Sequence, residues 1–209
     1  LPNAVFACGN NSDGQLGRGN IINVFDTNVQ LTQITSNIQN CNIVAISGGY
    51  NYSLFLDSTG KVYGCGYNYN GQLGIPDSGN ILIPTLITSN IVAISGGGSD
   101  GYHSLFLDST GKVYACGYNQ YGQLGRGTKI NSFNTNVQIT QITSNIQNCN
   151  IVAISSSSRH SLFLDSTGKV YSCGWNYFQQ LGLDIPTEYI QIPTQITGNI
   201  QNCNIVAIS

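Results

Sequence analysis

The 209-residue chain has no methionine, only two histidines and a single tryptophan, and just 8% of its residues are charged, against roughly 25% in an average soluble protein. Each shortage excludes something. Seven Lys and Arg against nine Asp and Glu leave a net charge of −2. That is no basic surface for a row of phosphates, so nucleic acid is not expected as a partner. Seven cysteines without a C-x-x-C spacing leave zinc unsupported, and no metal or cofactor is expected. No apolar run approaches the roughly 20 residues needed to span a bilayer. The opening "LPNAVFACGN" has neither a basic n-region nor an apolar h-region, so neither a secretory leader nor a membrane attachment is expected. A chain without an initiator methionine is expected to be an excerpt of something longer. With so few charges, its surface must be built from Asn, Gln, Ser, Thr and Tyr around the 41% of hydrophobic residues.

What the chain has in abundance is repetition. "SLFLDSTGKVY" occurs at 53–63, 104–114 and 161–171, and "IVAIS" at 43–47, 91–95, 151–155 and 205–209. "QLG" recurs from residue 15 in steps of 57, 51 and 57 residues. Fixed anchors separated by variable lengths describe a scaffold with variable loops. "IVAIS" is short, apolar and β-branched and reads as a strand, here strand A. "SLFLD" (B) and "KVYxCG" (C) flank "DSTGK", whose Asp57, Asp108 and Asp165 suit a tight hairpin turn. A fourth strand, D, is expected in 29–35, 84–88, 137–143 and 192–197. Four strands in roughly 50 residues make one propeller blade. The fold expected is all-β: a β-propeller of four-stranded antiparallel blades in a single domain over 1–209. Its repeat units are about 1–47, 48–95, 96–155 and 156–209, with three full blades and split terminal pieces. Two architectures remain open: part of a longer propeller, or a small ring whose split blade lacks a strand B. Tyr63, Tyr114 and Tyr171 on strand C are expected to pack between blades.

The segments "HSLFLDSTGKVYACGYNQYGQLGRG" (103–127) and "RHSLFLDSTGKVYSCGWNYFQQLG" (159–182) resemble the repeat of the regulator of chromosome condensation family, and in-register copies cover nearly the whole chain. The resemblance implies a seven-bladed β-propeller, of which this chain would be an excerpt. Members of that family include an exchange factor for a small nuclear GTPase, accessory domains of ubiquitin ligases, an ultraviolet receptor and bacterial enzyme inhibitors. Fold does not choose among these functions.

"GGGSDGYHS" (96–104) matches both the G-x-G-x-x-G and G-x-S-x-G templates, which would make Ser99 a nucleophile. Both templates require a helix to follow, and here a strand is expected. Against its sister loops, 47–53 and 155–161, the stretch is an A–B loop with three extra residues. His103 and His160 share one register with Tyr52, which argues for a repeated structural role over a ligand pair. Cys8, Cys65, Cys116 and Cys173 are expected to pack as small buried hydrophobes, and Arg18 and Arg126 in "QLGRG" to be solvated loop charges.

In an up-and-down blade the A–B and C–D loops leave on the same face. That face is expected to bind a protein partner through Tyr50, Ser99, Asp100 and Tyr102 on A–B loops, and through Tyr69, Tyr121, Trp175 and Tyr177 on C–D loops. Tyr52, Tyr67, Tyr118 and Phe178 fall in the same loops. No catalytic set survives the register comparison. The function expected is a non-catalytic interaction scaffold in the cytoplasm or nucleus. The alternatives are exchange activity on a small GTPase or an accessory, substrate-binding part of a ubiquitin ligase. Trp175, standing alone, speaks against ultraviolet sensing by clustered indoles.

Overall fold

The computed structural model describes residues 4–22, 30–77, 79–130 and 137–209. A short antiparallel pair comes first, β1 (Phe6–Ala7) with β2 (Thr32–Gln33). Three four-stranded antiparallel sheets follow in chain order. The first is β3 (Ile43–Gly48), β4 (Tyr52–Asp57), β5 (Val62–Gly66) and β6 (Ile81–Thr88). The second is β7 (Ile91–Gly96), β8 (His103–Asp108), β9 (Val113–Gly117) and β10 (Thr140–Gln141). The third is β11 (Ile151–Ser156), β12 (His160–Asp165), β13 (Val170–Trp175) and β14 (Tyr189–Gln195). These are the three complete blades expected, each in the order A-B-C-D. β1 and β2 are the C and D strands of a split blade. The fourth "IVAIS", 205–209, is irregular; only its first amide docks, Ile205 N on Gly168 O at 3.4 Å. Among the described residues no sheet joins it to β1 or β2.

The B–C hairpins close as their sequence predicts. Asp108 Oδ1 accepts the Thr110 amide at 2.8 Å, the Thr110 hydroxyl at 2.7 Å and the Lys112 amide at 3.0 Å. Asp57 and Asp165 repeat the pattern with Thr59 and Lys61, and with Thr167 and Lys169. A short carboxylate that satisfies three donors of one turn fixes the hairpin without tertiary help.

The core lies between blades. Leu54, Leu56 and Val62 of one blade meet Ile91, Phe106 and Cys116 of the next. Leu105, Leu107 and Val113 meet Ile151, Phe163 and Cys173 in the same way. Central strands buried on both faces need no apolar–polar alternation, which is why "SLFLD" reads as a continuous apolar run. Burying one such Leu or Phe contributes about 1.5–3 kcal/mol. The strand-C tyrosines pack as expected and also place their hydroxyls, Tyr63 beside Cys41 Sγ at 3.6 Å and Tyr171 beside Cys149 Sγ at 3.5 Å.

Strand D departs from the expected bounds. β6 and β14 begin earlier than residues 84 and 192, and bulges in β6 and β14 themselves absorb the added length against β5 and β13. β2 and β10 are two-residue strands; of the segment expected there, residue 29 lies outside the described residues. The two short D strands occur in the copies that contain Arg18 and Arg126. These arginines are not solvated charges. Arg126 Nη2 donates to Ala115 O of strand C and, at 2.9 Å, to Gln138 O before strand D; Arg18 Nη2 donates to Ala7 O. The guanidinium bridges strands where ladder bonds would otherwise run. Ile75 and Leu183 take its place where strand D is long.

Candidate partner-binding face

The C–D loops are shaped from within. Asn68 is fully buried; its Oδ1 accepts the Leu73 amide and its Nδ2 donates to Ile75 O, both at 2.9 Å. Asn11, Asn119 and Asn176 serve Leu16, Leu124 and Leu181 in the same way. Gln72 Oε1 accepts the Asn70 amide, while its main-chain carbonyl accepts Ser104 Oγ at 2.7 Å and Cys116 Sγ at 3.3 Å from the next blade. Gln123 repeats this with Ser161 and Cys173. The motif N-x-x-G-Q-L-G thus encodes a loop wrapped on its own asparagine and fastened to the following blade. Cys8 does not share the expected burial: it is exposed in the split first blade, where no preceding blade's Gln loop lies against it among the described residues. The three buried cysteines are more than small hydrophobes, since their thiols take part in that fastening. Burial pushes the Cys116 thiol up to about 12, so it stays protonated and able to donate.

The A–B loops carry a second fastening. Tyr52 is buried at the start of β4, and its hydroxyl donates to His103 O at 2.6 Å and accepts the Gly97 amide at 3.0 Å. The expectation that Tyr52 belongs to the exposed face is therefore corrected. Its first position in a strand, against the next blade, turns it inward. His103, fully buried in the equivalent position, reaches Ser161 Oγ at 3.0 Å. Ser161 spends its one proton on Gln123 O, so His103 Nε2 is the donor. Burial pushes the His103 pKa down to about 3, with His160 acting in the same direction.

The glycine-rich stretch is a loop followed by β8 and not by a helix. Gly97 donates to His103 O at 3.0 Å, which closes the loop at its base. A Cβ on Gly101 would lie 2.4 Å from the Gly97 carbonyl carbon, and one on Gly97 would lie 2.9 Å from Ser157 O. The glycines let the loop fold back on itself and lie against the next A–B loop. Nothing in this geometry resembles a phosphate cradle or a nucleophile elbow. Ser99 is exposed at its tip.

Above these fastenings the aromatic side chains meet. Tyr102, from the extended A–B loop, contacts Tyr50 of the preceding A–B loop at 5.5 Å between centroids, and the C–D loop rings of Tyr67 at 5.4 Å and Tyr118 at 6.4 Å. Tyr67 continues to Tyr69 at 5.0 Å. In the other direction Tyr118 leads to Tyr121 at 6.1 Å and Tyr121 to Trp175 at 6.0 Å. Trp175 packs on Tyr177 and Phe178 at 6.0 and 5.3 Å. The result is an unbroken band of nine rings across three blades. Its ends are open to solvent, Tyr69 being 55% and Phe178 72% exposed. Arg159 lies over Tyr121 and Trp175 at 5.2 and 4.9 Å and approaches Asp100 at 3.9 Å.

Six of the eight residues expected on this face, Tyr50, Tyr69, Tyr102, Tyr121, Trp175 and Tyr177, are thus in one continuous contact chain. Asp100 sits beside it through Arg159, and Ser99 stands apart. Sequence reasoning missed Arg159. The signal was available, because in "SSSSRHS" it precedes His160 as Tyr102 precedes His103 and Asn51 precedes Tyr52. In two of the three A–B loops that position supplies the residue that meets the band, and in the first Tyr50, two residues before Tyr52, does so instead.

Blade order, the hairpin turns and the N-x-x-G-Q-L-G fastenings define a repeat-built β-propeller. The chain belongs to the regulator of chromosome condensation (RCC1) repeat family, whose repeat it matches over residues 3–56, 110–164 and 167–209. It is 30% identical to the ultraviolet-B receptor UVR8 of Arabidopsis thaliana, over 84% of this chain and 38% of the receptor. It is 29% identical to the secretion-regulating guanine nucleotide exchange factor of Bos taurus, over 98% of this chain and 44% of that protein. Its fold superposes on Prp20p of Saccharomyces cerevisiae, described with its binding properties to Gsp1p and histones, with a TM-score of 0.76 and 23% identity over 94% of this chain and 47% of Prp20p. The chain spans less than half the length of each of these relatives. Among the described residues no helix is long and apolar enough to cross a membrane.

Proposed function

We propose that the chain is a non-catalytic protein-interaction scaffold, a piece of a larger propeller, whose A–B and C–D loops bind a protein partner on one face. The observation that carries this is the division of the tyrosines. The tyrosines of strands B and C, Tyr52, Tyr63, Tyr114 and Tyr171, all place their hydroxyls on protein groups. In the band, among the described residues, only the Tyr118 hydroxyl does so, donating to Gln120 Oε1. Large, stiff rings with unspent donors, set on a braced scaffold, are what a binding surface requires. An intracellular setting, nuclear or cytoplasmic, fits the use of Cys65, Cys116 and Cys173 as thiols hydrogen-bonded to glutamine carbonyls. The test is affinity capture with wild-type protein and with the Tyr102→Ala/Tyr121→Ala variant. Loss of the captured partners in the variant is expected, and unchanged capture rejects the reading.

A second reading is guanine-nucleotide exchange on a small GTPase, favoured by the similarity to the bovine exchange factor along 98% of the chain. Exchange needs a surface that deforms the nucleotide site and no acid–base set. Accelerated release of labelled GDP from a captured GTPase would establish it. An accessory role in a ubiquitin ligase would use the same face on a substrate protein.

A further inference from the structure

We propose that the aromatic band is a docking site for a proline-rich peptide in the polyproline II conformation. The proposal rests on the protein-binding reading above and names the chemistry of the partner.

Charge narrows the choice first. Charged groups acting on the band's rings are Arg159, its neighbour Asp100, and Asp13, whose carboxylate raises the hydroxyl pKa of Tyr67 and Tyr102 after the larger effect of burial. Beside them Lys129 lies over Tyr189, the cross-strand partner of Trp175, at 3.6 Å. Two acids balanced by two bases among the described residues offer no net attraction to a polyanion. A cationic side chain seeking ring faces finds those of Tyr121 and Trp175 already covered by Arg159. The favoured ligand is therefore an uncharged one.

Ring geometry narrows it further. Flat ligands such as sugar rings and nucleobases stack on open, coplanar ring faces. Here only Trp175 and Tyr177 are parallel, at 9°. The other junctions along the band open at between 42° and 86°. Such rings form a series of notches, with edges and faces meeting at an angle. A pyrrolidine ring is compact, apolar and lacks an N–H, so it enters a notch without stranding a donor. A polyproline II backbone makes no internal hydrogen bonds, and its carbonyls need donors from outside. The hydroxyls of Tyr50, Tyr69, Tyr102 and Tyr121, which bond to no group among the described residues, are donors of that kind, placed along the line of notches. Both partners are stiff before they meet, which lowers the ordering cost of association.

The chain's only tryptophan lies inside the band, so its intrinsic emission reports occupancy without a label. The probe is a ten-residue oligoproline added to the 209-residue chain, with a Gly-Ser decapeptide as control. A saturable change in Trp175 emission is expected with oligoproline and none with the control. Tyr121→Ala is expected to weaken binding about tenfold. Tyr102→Phe, which keeps the ring and removes the donor, should weaken it severalfold, with thermal unfolding unchanged in both variants. The proposal is overturned if oligoproline gives no saturable change, or if binding survives Tyr121→Ala. It is equally overturned if cellohexaose or an oligothymidylate strand gives the change instead, or if sedimentation shows the band covered by a second copy. If oligoproline fails while the double alanine variant still loses its captured proteins, the ligand class alone falls. If that variant keeps every partner, the protein-binding reading falls with it.

Discussion

The Tyr52 hydroxyl donates to the main-chain oxygen of His103 at 2.6 Å, so a side chain that begins one blade's second strand holds the same point of the next blade. His103 then reaches Ser161 of the blade after that. The A–B loops that display the aromatic band are held in place by residues directly adjacent to those displayed.

Tyr52→Phe removes this tie, while the Gly97 amide and His103 carbonyl keep their bond to each other at 3.0 Å. A loss of about 0.5–1.5 kcal/mol is expected, read as a lowered urea midpoint at unchanged m-value. Tyr50→Phe, at an exposed ring, is the matched control and should leave the midpoint in place.

His103 makes stability depend on pH. Its folded pKa is about 3, against about 6.5 in the unfolded chain. Between those values only the unfolded chain binds the proton. Stability is therefore complete above pH ~6.5 and declines as pH falls toward 3, with a slope approaching about 1.4 kcal/mol per unit. Burial lowers the His160 pKa too, which steepens the decline. Burial alone would raise the pKa of Asp57, Asp108 and Asp165, but hydrogen bonds from the Thr and Lys residues of each turn outweigh it and hold them below 3.8. Their loss comes at lower pH, so unfolding between pH 4 and 6.5 isolates the histidines. His103→Tyr, which copies the Tyr52 position, should flatten that slope.

Gly117 has φ +104°, and a Cβ there would lie 2.3 Å from Tyr102 O. Gly117→Ala forces the A–B loop away from strand C. The expected cost is about 2–4 kcal/mol, with altered Trp175 emission because Tyr102 heads the ring chain toward it. A variant that unfolds at the wild-type midpoint would contradict the close approach.

Arg159→Ala removes an exposed ion pair and a cation over two rings. Such contacts contribute little, and a stability change under about 1 kcal/mol is expected. Trp175 emission should move to longer wavelength as its face becomes wet. A large loss of stability would show that Arg159 braces the scaffold.

Much of this was legible in the sequence because each signal was local or repeated. "DSTGK" fixes its own turn, and four copies of "QLG" set the blade spacing. The gathering of Tyr50, Tyr102 and Trp175 on one face followed from strand order alone. What escaped was non-local. Nothing in "QLGRG" says that the guanidinium will reach back to Ala115 and shorten strand D. Nothing in "SSSSRHS" says that Arg159 will meet rings from two C–D loops. Tyr52 resembles its exposed neighbour Tyr50 until the next blade is present to bury it.

The register of the A–B loops therefore separates two tasks at a spacing of one residue. The displayed position holds Asn51, Tyr102 and Arg159, of which Tyr102 and Arg159 meet the ring band, while Tyr52 and His103 at the next position are fully buried and bonded to the following blade. Asn, Tyr and Arg have little in common except that each is tolerated there. A lineage can rewrite the displayed character one blade at a time and leave the fastening beside it untouched. On the binding reading proposed above, a change of partner would call for substitution at the displayed position and not at the fastening.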